Sequence, residues 1–158
     1  LYYFYLRELF IKLQKIFKKK IIICVHPKNN DKFFYSYFKK FTIKKYKTSK
    51  IISKSFIVLF HDSSAVTDAI LQKKKIISLN SELLGNYLND NTKLYSKILG
   101  SYSIELNENY KFKKNELIEK LNISQKKIDQ YVNNCLKSDG NRLGKDKIVE
   151  IIKKKFLN

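Results

Sequence analysis

The sequence predicts an α/β fold in which a parallel sheet is covered by helices on both faces. Continuous apolar runs rich in β-branched residues recur at 21–25, 56–60 and 76–79 and are typical of strands buried on both faces. Stretches with apolar residues three and four apart separate these runs and are typical of amphipathic helices. The length of 158 residues suits one domain with its own core.

The first half of the chain alternates between helix and strand patterns. Two of its boundaries are marked by particular residue types. His26-Pro27 ends the first strand, and Asp31 stands near the start of the following helix. The predicted elements are, in order, a helix over 3–19, a strand over 21–25, a helix over 31–41, a short strand at Ile43, a short helix around Ile51 and a strand over 56–60.

The second half continues this alternation and ends in helices. Its predicted elements are a helix over 64–72, a strand over 76–79, one or two helices over 82–99, a strand over 103–106, and helices over 115–121, 124–136 and 145–157. Ser124 is the expected N-cap of its helix, and KSDGNRLG (137–144) is predicted to be a loop. The side chains expected to point inward from 82–99 are Leu83, Leu84, Tyr87, Leu88, Leu94, Tyr95 and Ile98. Strands joined through helices form parallel sheets, so the sequence predicts a Rossmann-like domain with a helical C-terminal tail.

The chain is strongly basic, with 33 Lys+Arg against 14 Asp+Glu and a formal net charge of +19. Only Arg7 and Arg142 are arginines, whereas surfaces that read bases and phosphates favour the forked guanidinium. The lysines are also spread along the whole chain, which favours solvated lysine faces over a nucleic-acid site. The aromatic residues of 33–41 are interpreted as a core stripe rather than a platform for bases. The charge is still expected to attract anionic substrates or the anionic face of a membrane.

Two polar clusters end the first two long predicted strands: HPKN (26–29) and HDSS (61–64). Ligands of open parallel sheets bind at the carboxyl ends of the strands, so the clusters face one crevice if their strands are neighbours. Ser63 and Ser64 stand at a helix start, where free backbone N–H groups and the helix dipole favour a phosphate or diphosphate. Asp68, one turn in, is placed to accept hydrogen bonds from ribose hydroxyls, and His26 is placed to donate to a phosphate oxygen or a leaving group.

Other kinds of site find less support. Asp-Ser-Ser before a helix is equally consistent with ordinary capping, and His-Pro with an ordinary turn. The patterns G-x-G-x-x-G, the P-loop and G-x-S-x-G do not occur, and no spacing supports a hydrolytic triad of a serine with His26 and Asp62. No cluster suggests a metal site, so we expect neither a metal nor a cofactor. Cys24 and Cys135 form no disulfide framework, and a reducing compartment is expected.

Three stretches, in chain order, resemble the C-terminal half of GT-B-type enzymes of bacterial surface-polysaccharide synthesis. They are VHPKN (25–29), HDSSAVTDAILQKKKIISL (61–79) and YVNNCLKSDGNRLGKDKIVEII (131–152). The group includes CDP-glycerol glycerophosphotransferases, capsule glycosyltransferases and UDP-N-acetylglucosamine 2-epimerases. The resemblance implies two Rossmann-like domains that face a cleft, with the nucleotide-linked donor held by the C-terminal one.

The resemblance also implies roles for individual residues. Ser63 and Ser64 would hold the donor phosphates, Asp68 would lie near the ribose, and His26 would approach the phosphate. No metal is required in such a site, because a helix N-terminus with basic or His side chains neutralises the leaving diphosphate. The residues assigned to the site are His26 as the catalytic group and Lys28, Asp62, Ser63, Ser64 and Asp68 as donor ligands.

The chain departs from the family pattern in two places. NSELLGNYLND (80–90) stands where the epimerases carry an Arg and a Glu-Arg-Pro-Glu-type run, which argues against an epimerase and leaves the nucleobase contact unassigned. The acceptor-binding N-terminal domain is also missing, and the first residue is Leu. We therefore expect residues 1–158 to be a single donor-binding domain, the C-terminal part of a longer two-domain transferase that is incomplete alone.

The expected partners follow from this resemblance. They are a nucleotide-sugar or CDP-polyol donor and a glycan or lipid-linked acceptor, with no specific nucleic acid. The expected location is the cytoplasm, with the inner face of the plasma membrane as a candidate peripheral contact. Two alternatives stay open: a non-catalytic Rossmann-like module, and a basic nucleic-acid-binding domain.

Overall fold

The computed structural model describes residues 1–107, 110–138 and 142–143. Its helices are α1 (Tyr2–Phe17), α2 (Lys32–Tyr37), α3 (Thr48–Lys54), α4 (Ala65–Leu71), α5 (Asn86–Leu99), α6 (Lys114–Lys120) and α7 (Gln125–Tyr131). Its strands are β1 (Ile22–Cys24), β2 (Thr42–Lys44), β3 (Ile57–Phe60), β4 (Lys75–Asn80), β5 (Tyr102–Glu105), β6 (Lys137–Ser138) and β7 (Arg142–Leu143). The predicted α/β class is confirmed.

The hydrogen bonds of the described residues divide the parallel strands into two sheets. β1 pairs with β2, with Ile22 opposite Thr42. β4 lies between β3 and β5, with Ile57 opposite Lys75 and Ile77 opposite Tyr102. Every pairing in these two sheets is parallel, as helical crossovers between successive strands require.

Helix α1 packs one face against both parallel sheets. This face shares one apolar cluster with Ile23 and Ile43 of the first sheet and with Ile77 and Leu79 of the second. Burying a leucine completely stabilises a fold by about 1.5–3 kcal/mol, and Leu9 at the centre of the face is fully buried. The buried side chains of α1 are Tyr5, Leu6, Leu9, Phe10 and Leu13. One helix therefore joins the two sheets into a single core.

Helix α1 runs antiparallel to β3, and this fixes which end of the molecule carries the strand ends. The ring of Tyr2 lies 5.7 Å from that of His61, just after β3, and Phe17 lies 5.8 Å from Phe56, just before it. β1 begins shortly after the end of α1, and the chain that follows β1 reaches Phe33, whose ring lies 6.0 Å from that of Tyr3 near the start of α1. β1 therefore runs opposite to α1 and in the direction of β3. The carboxyl ends of both sheets therefore lie where α1 begins.

The opposite face of the three-stranded sheet is covered by α4, α5 and α7. Ile76 and Phe60 point toward this face, whereas Ile77 points toward α1, as alternation along a strand requires. Val66, Ile70 and Leu99 complete this second buried cluster. The predicted helices on both faces are therefore confirmed for this sheet.

Two of the predicted burial patterns are wrong. β1 is not buried on both faces, because Ile22 is 45% exposed and Cys24 is exposed. In the described residues β1 belongs to a two-stranded sheet with α1 on one side, so only Ile23 points inward. The second error concerns side chains of 82–99 that were predicted to point inward and are exposed instead, namely Leu83, Tyr87, Leu94 and Ile98. α5 instead buries Asn89 and Thr92, which have hydrogen-bond partners described below.

Smaller differences concern the aromatic stripe and the C-terminal third. Phe34 and Phe38 are buried in the core as predicted, but Phe33 is 63% exposed. Ser124 occupies the N-cap position of α7 without a capping hydrogen bond from its side chain. That helix gives way to a π-helical segment at Val132–Leu136, and the predicted loop contains the antiparallel pair β6–β7. The predicted helix over 145–157 lies outside the described residues.

Candidate functional site

Two polar turns lie at the end of the molecule where α1 begins, one after β1 and one after β3. The first is HPKN, in which the Asn29 N–H donates to the His26 carbonyl at 2.8 Å. The Lys28 N–H donates to His26 Nδ1 at 3.2 Å. Because Nδ1 accepts this bond, the neutral imidazole carries its proton on Nε2. His26 is exposed, so it offers an Nε2–H donor to a ligand.

The same turn leads directly into α2. The Asn29 side chain accepts from the Asp31 N–H at 2.9 Å. The Asp31 carboxylate accepts from the N–H groups of Phe33 and Phe34 at 2.9 and 3.2 Å, which caps α2. Backbone and capping bonds thus hold the turn in place, while the Lys28 ammonium stays exposed.

The second turn, HDSS, is held to the rest of the fold through His61. The Tyr2 hydroxyl lies 2.7 Å from His61 Nδ1, and the two rings are stacked. Burial lowers the pKa of His61 below its ordinary value of 6.5, although the neighbouring Asp62 opposes this. His61 is therefore neutral at neutral pH and has a structural role, whereas His26 is the accessible imidazole.

Asp62 anchors the turn on α5. Its backbone adopts a left-handed conformation with φ of 32°, which Asp tolerates better than most residues. Its N–H donates to Thr92 Oγ1 at 3.1 Å, and its carboxylate accepts from the Asn91 amide at 3.4 Å. The Thr92 hydroxyl donates in turn to the Leu88 carbonyl at 2.9 Å. The Asp62 carboxylate is thus directed toward α5.

The first turn of α4 is less open to an anion than the sequence predicts. Ser64 occupies the N-cap position but already has helical dihedrals, and its hydroxyl makes no capping bond. Ser63 accepts two hydrogen bonds instead. The Ala65 N–H donates to the Ser63 Oγ, and the Val66 N–H donates to the Ser63 carbonyl oxygen. The Ser64 carbonyl accepts the N–H of Thr67. The amides left for a ligand are those of Ser63 and Ser64, which have no partner among the described residues.

Asp68 lies on the outward side of α4, one turn beyond Ser64. Residues four apart share a helix face, and the buried residues Val66, Ala69 and Ile70 occupy the opposite one. Asp68 is partly exposed, as a ribose-binding carboxylate needs to be. Its side chain has no hydrogen-bond or ion-pair partner among the described residues.

Aromatic rings lie between the two polar turns. The ring of Tyr2, stacked on His61, is 5.6 Å from Tyr3, and Tyr3 is 6.0 Å from Phe33 at the start of α2. Both turns thus lie at the same end of the molecule, but in the described residues β1 and β3 belong to different sheets and are not neighbouring strands. In the part of the chain that the structure describes, no hydrogen bond or ion pair joins His26 or Lys28 to 61–64.

Sequence reasoning missed Tyr2, Asn89 and Thr92 as residues that support the site. Asn89 accepts the N–H of Ser81 at 3.0 Å, at the end of β4, and Thr92 holds Asp62. Asn89, Thr92 and Ser96 are spaced three and four apart, so a polar stripe on the predicted helix was a signal for them. Tyr2 gave no such signal, because it is 59 positions away from His61.

A buried polar cluster lies beneath α5 beside β4 and β5. The Ser78 and Ser101 hydroxyls are 2.9 Å apart, and the Asn80 amide donates to Ser103 at 2.6 Å. Asn80 is 7% exposed, and its Oδ1 has no hydrogen-bond partner in the described structure. Such an unpaired buried acceptor costs about 1–3 kcal/mol. The carboxyl half of the second sheet is thus polar on its α5 side.

Comparisons with known proteins add no family. No protein-family model, curated protein or solved structure matches this chain significantly. Within residues 1–107 and 110–138, no three His, Cys, Asp or Glu side chains converge as a metal ion would require. Of the helices in the described ranges, none is both long and apolar enough to cross a bilayer. The likeness to GT-B-type enzymes therefore stays a prediction from the three stretches 25–29, 61–79 and 131–152.

Proposed function

We propose that this chain binds the nucleotide-activated donor of a transferase that adds sugar or polyol-phosphate units to a surface polysaccharide. The observation that carries the proposal is the position of the two polar turns. Both follow parallel strands and lie at the same end of the molecule, where ligands of such sheets bind. The acceptor site and the general base are proposed to belong to a further domain, and the enzyme to act in the cytoplasm.

The groups at this end suit a nucleoside diphosphate ester. The Nε2–H of His26 and the Lys28 ammonium supply donors on one side, and the amides and hydroxyls of Ser63 and Ser64 supply them on the other. Asp68 is the acceptor for ribose hydroxyls. No metal enters this proposal, because the positive charge of Lys28 and the surrounding hydrogen-bond donors are proposed to stabilise the diphosphate oxygens.

The proposed reaction is a displacement at the activated unit of the donor. An acceptor hydroxyl forms the new bond and gives its proton to a base outside this chain, while the nucleotide leaves with the electrons of the broken bond. For a sugar donor the C–O bond to the diphosphate breaks, and for a CDP-polyol the P–O bond within the diphosphate breaks and releases CMP. His26 donates a hydrogen bond to the departing oxygen.

Donor binding is tested by NMR titration of the ¹⁵N-labelled chain with CDP-glycerol, UDP-N-acetylglucosamine, UDP and CDP. We expect shift changes at 26–29 and 62–68. Asp68→Asn should weaken binding about tenfold or more, since hydrogen bonds to charged groups contribute about 1.5–3 kcal/mol. The matched control is Glu119→Gln, which removes an exposed carboxylate near the end of α6.

Two results would count against the proposal. One is the absence of shift changes at both turns with all four compounds, which favours a non-catalytic module. The other is equal affinity of the Asp68→Asn and Glu119→Gln variants, which removes the ribose role. A nucleic-acid-binding domain would reveal itself by oligonucleotide binding that weakens steeply as salt is raised.

A further inference from the structure

A groove of about 480 Å³ lies between α1 and α2. Ile11 of α1 and the rings of Phe33 and Tyr37 form apolar walls, and the cations Arg7, Lys39 and Lys40 surround them. No acidic side chain is among the described residues that line it. The groove thus combines a concentrated positive charge with aromatic surface.

Arg7 places a partly exposed guanidinium in this groove. The carbon of its guanidinium lies over the Tyr37 ring, 5.3 Å from the ring centre, which is a cation–π contact. Its Nη2 lies 3.4 Å from the Glu8 carboxylate, and both side chains are about 40% exposed. Such surface ion pairs contribute little to stability. Its Nε is buried and has no hydrogen-bond partner within the described residues. Because Nε is buried, a phosphate outside the protein can meet only the outer Nη groups, where the weak contact with Glu8 leaves donors.

Large aromatic side chains stand exposed beside these cations. Phe33 is 63% exposed at the groove. Phe4 is 46% exposed and lies one turn before Arg7 on the same side of α1. Exposed apolar rings beside a basic cluster mark surfaces that meet the boundary between lipid headgroups and acyl chains.

We propose that this groove docks the chain on an anionic phospholipid surface. Headgroup phosphates bind Arg7, Lys39 and Lys40, while the rings of Phe4 and Phe33 enter the interfacial layer. The net charge of +19 raises the concentration of the chain near such a surface. A single-stranded nucleic acid is less favoured, because it needs a series of rings along a basic path rather than one groove. The docking surface does not depend on the donor site, so the two proposals fail separately.

The test is flotation of the chain with two kinds of phosphatidylcholine vesicle. One kind contains no phosphatidylglycerol, and in the other about 30% of the lipid is phosphatidylglycerol. We expect binding only to the anionic vesicles. Each basic residue near such a surface changes partitioning about fivefold, so Lys39→Gln/Lys40→Gln should lower the partition coefficient about 30-fold. The matched control is Lys93→Gln/Lys97→Gln, which removes two exposed lysines of α5 on the other face of the sheet.

Further variants separate the groove from the general charge of the chain. Arg7→Gln should lower partitioning more than fivefold, because it removes the outer guanidinium donors as well as a charge. Phe33→Ser should lower it while leaving the charge unchanged, and circular dichroism should show that both variants fold. Equal losses in the groove and control lysine pairs would overturn the proposal, as would undiminished binding of Phe33→Ser. Preferential binding of a dT20 oligonucleotide, abolished by Lys39→Gln/Lys40→Gln, would assign the groove to nucleic acid instead.

Discussion

The Thr92→Val substitution tests how the HDSS turn is held in place. Thr92 is fully buried, and its hydroxyl accepts from the Asp62 N–H at 3.1 Å and donates to the Leu88 carbonyl at 2.9 Å. Valine has almost the same shape, so the substitution removes these two hydrogen bonds without opening a cavity. The Leu88 carbonyl lies within α5, where the helical ladder provides a partner. The main loss is therefore the acceptor for the Asp62 N–H.

The expected cost follows from the burial of that N–H. An unpaired buried donor costs about 1–3 kcal/mol, and the low end applies because the Asp62–Thr92 bond is only partly buried. We expect Thr92→Val to lower the free energy of unfolding by about 1 kcal/mol, which corresponds to about 3 °C in Tm for a chain of this size. Asn91→Ala, which removes an exposed contact of 3.4 Å to the Asp62 carboxylate, should cost less than about 0.5 kcal/mol.

The decisive assay is amide hydrogen exchange at Asp62, measured by NMR beside urea unfolding. Exchange at Asp62 should accelerate in Thr92→Val and stay slow in Thr92→Ser, which keeps the hydroxyl but loses a methyl group. Thr92→Ser is therefore also destabilised, and stability alone does not separate the two variants. Unchanged protection of the Asp62 amide in Thr92→Val would show that the turn is held by other contacts.

Two further predictions concern the core and the pH dependence of stability. Leu9→Ala should lower the free energy of unfolding by about 2–5 kcal/mol, because Leu9 is fully buried where α1 meets both sheets. Urea unfolding measures this loss, and a loss below about 1 kcal/mol would contradict the central position of Leu9. Burial lowers the pKa of His61, so below its ordinary value of 6.5 the unfolded chain takes up a proton that the folded protein does not, and stability falls as the pH falls. Urea unfolding at about pH 7.5 and 5.5 should show a smaller acid-induced loss in His61→Gln than in the unmodified chain, and equal losses would refute this role of His61.

Elements with strong periodicity could be predicted from the sequence. The apolar spacing predicted a helix over 3–19, and the structure has α1 at Tyr2–Phe17. The β-branched runs predicted β3 and β4. In each case the pattern reflects which face of the element is buried, and burial of that face stabilises the element. The position of the two polar turns after strands could be read in the same way, because the turn residues directly follow the apolar runs.

Predictions failed where burial was decided by a partner far away in the chain. The leucines of α5 suggested one inward face, but Asn89 and Thr92 are buried because a strand end and the turn at Asp62 supply their hydrogen bonds. Phe33 was expected in the core, yet the groove between α1 and α2 leaves it exposed. The local pattern is compatible with both outcomes, so apolar spacing alone could not distinguish them.

The sequence by itself determined the α/β class, the order of helices and strands from α1 to α7, and the placing of HPKN and HDSS after strands, because apolar periodicity records the burial of a face along one element. Only the tertiary structure decided that Tyr2 binds His61, that the first amides of α4 are already bonded, and that His26 presents its Nε2 to solvent. Hydrogen-bond partners and the cover of a given face depend on which distant segments meet, and the local pattern of residues does not specify those contacts.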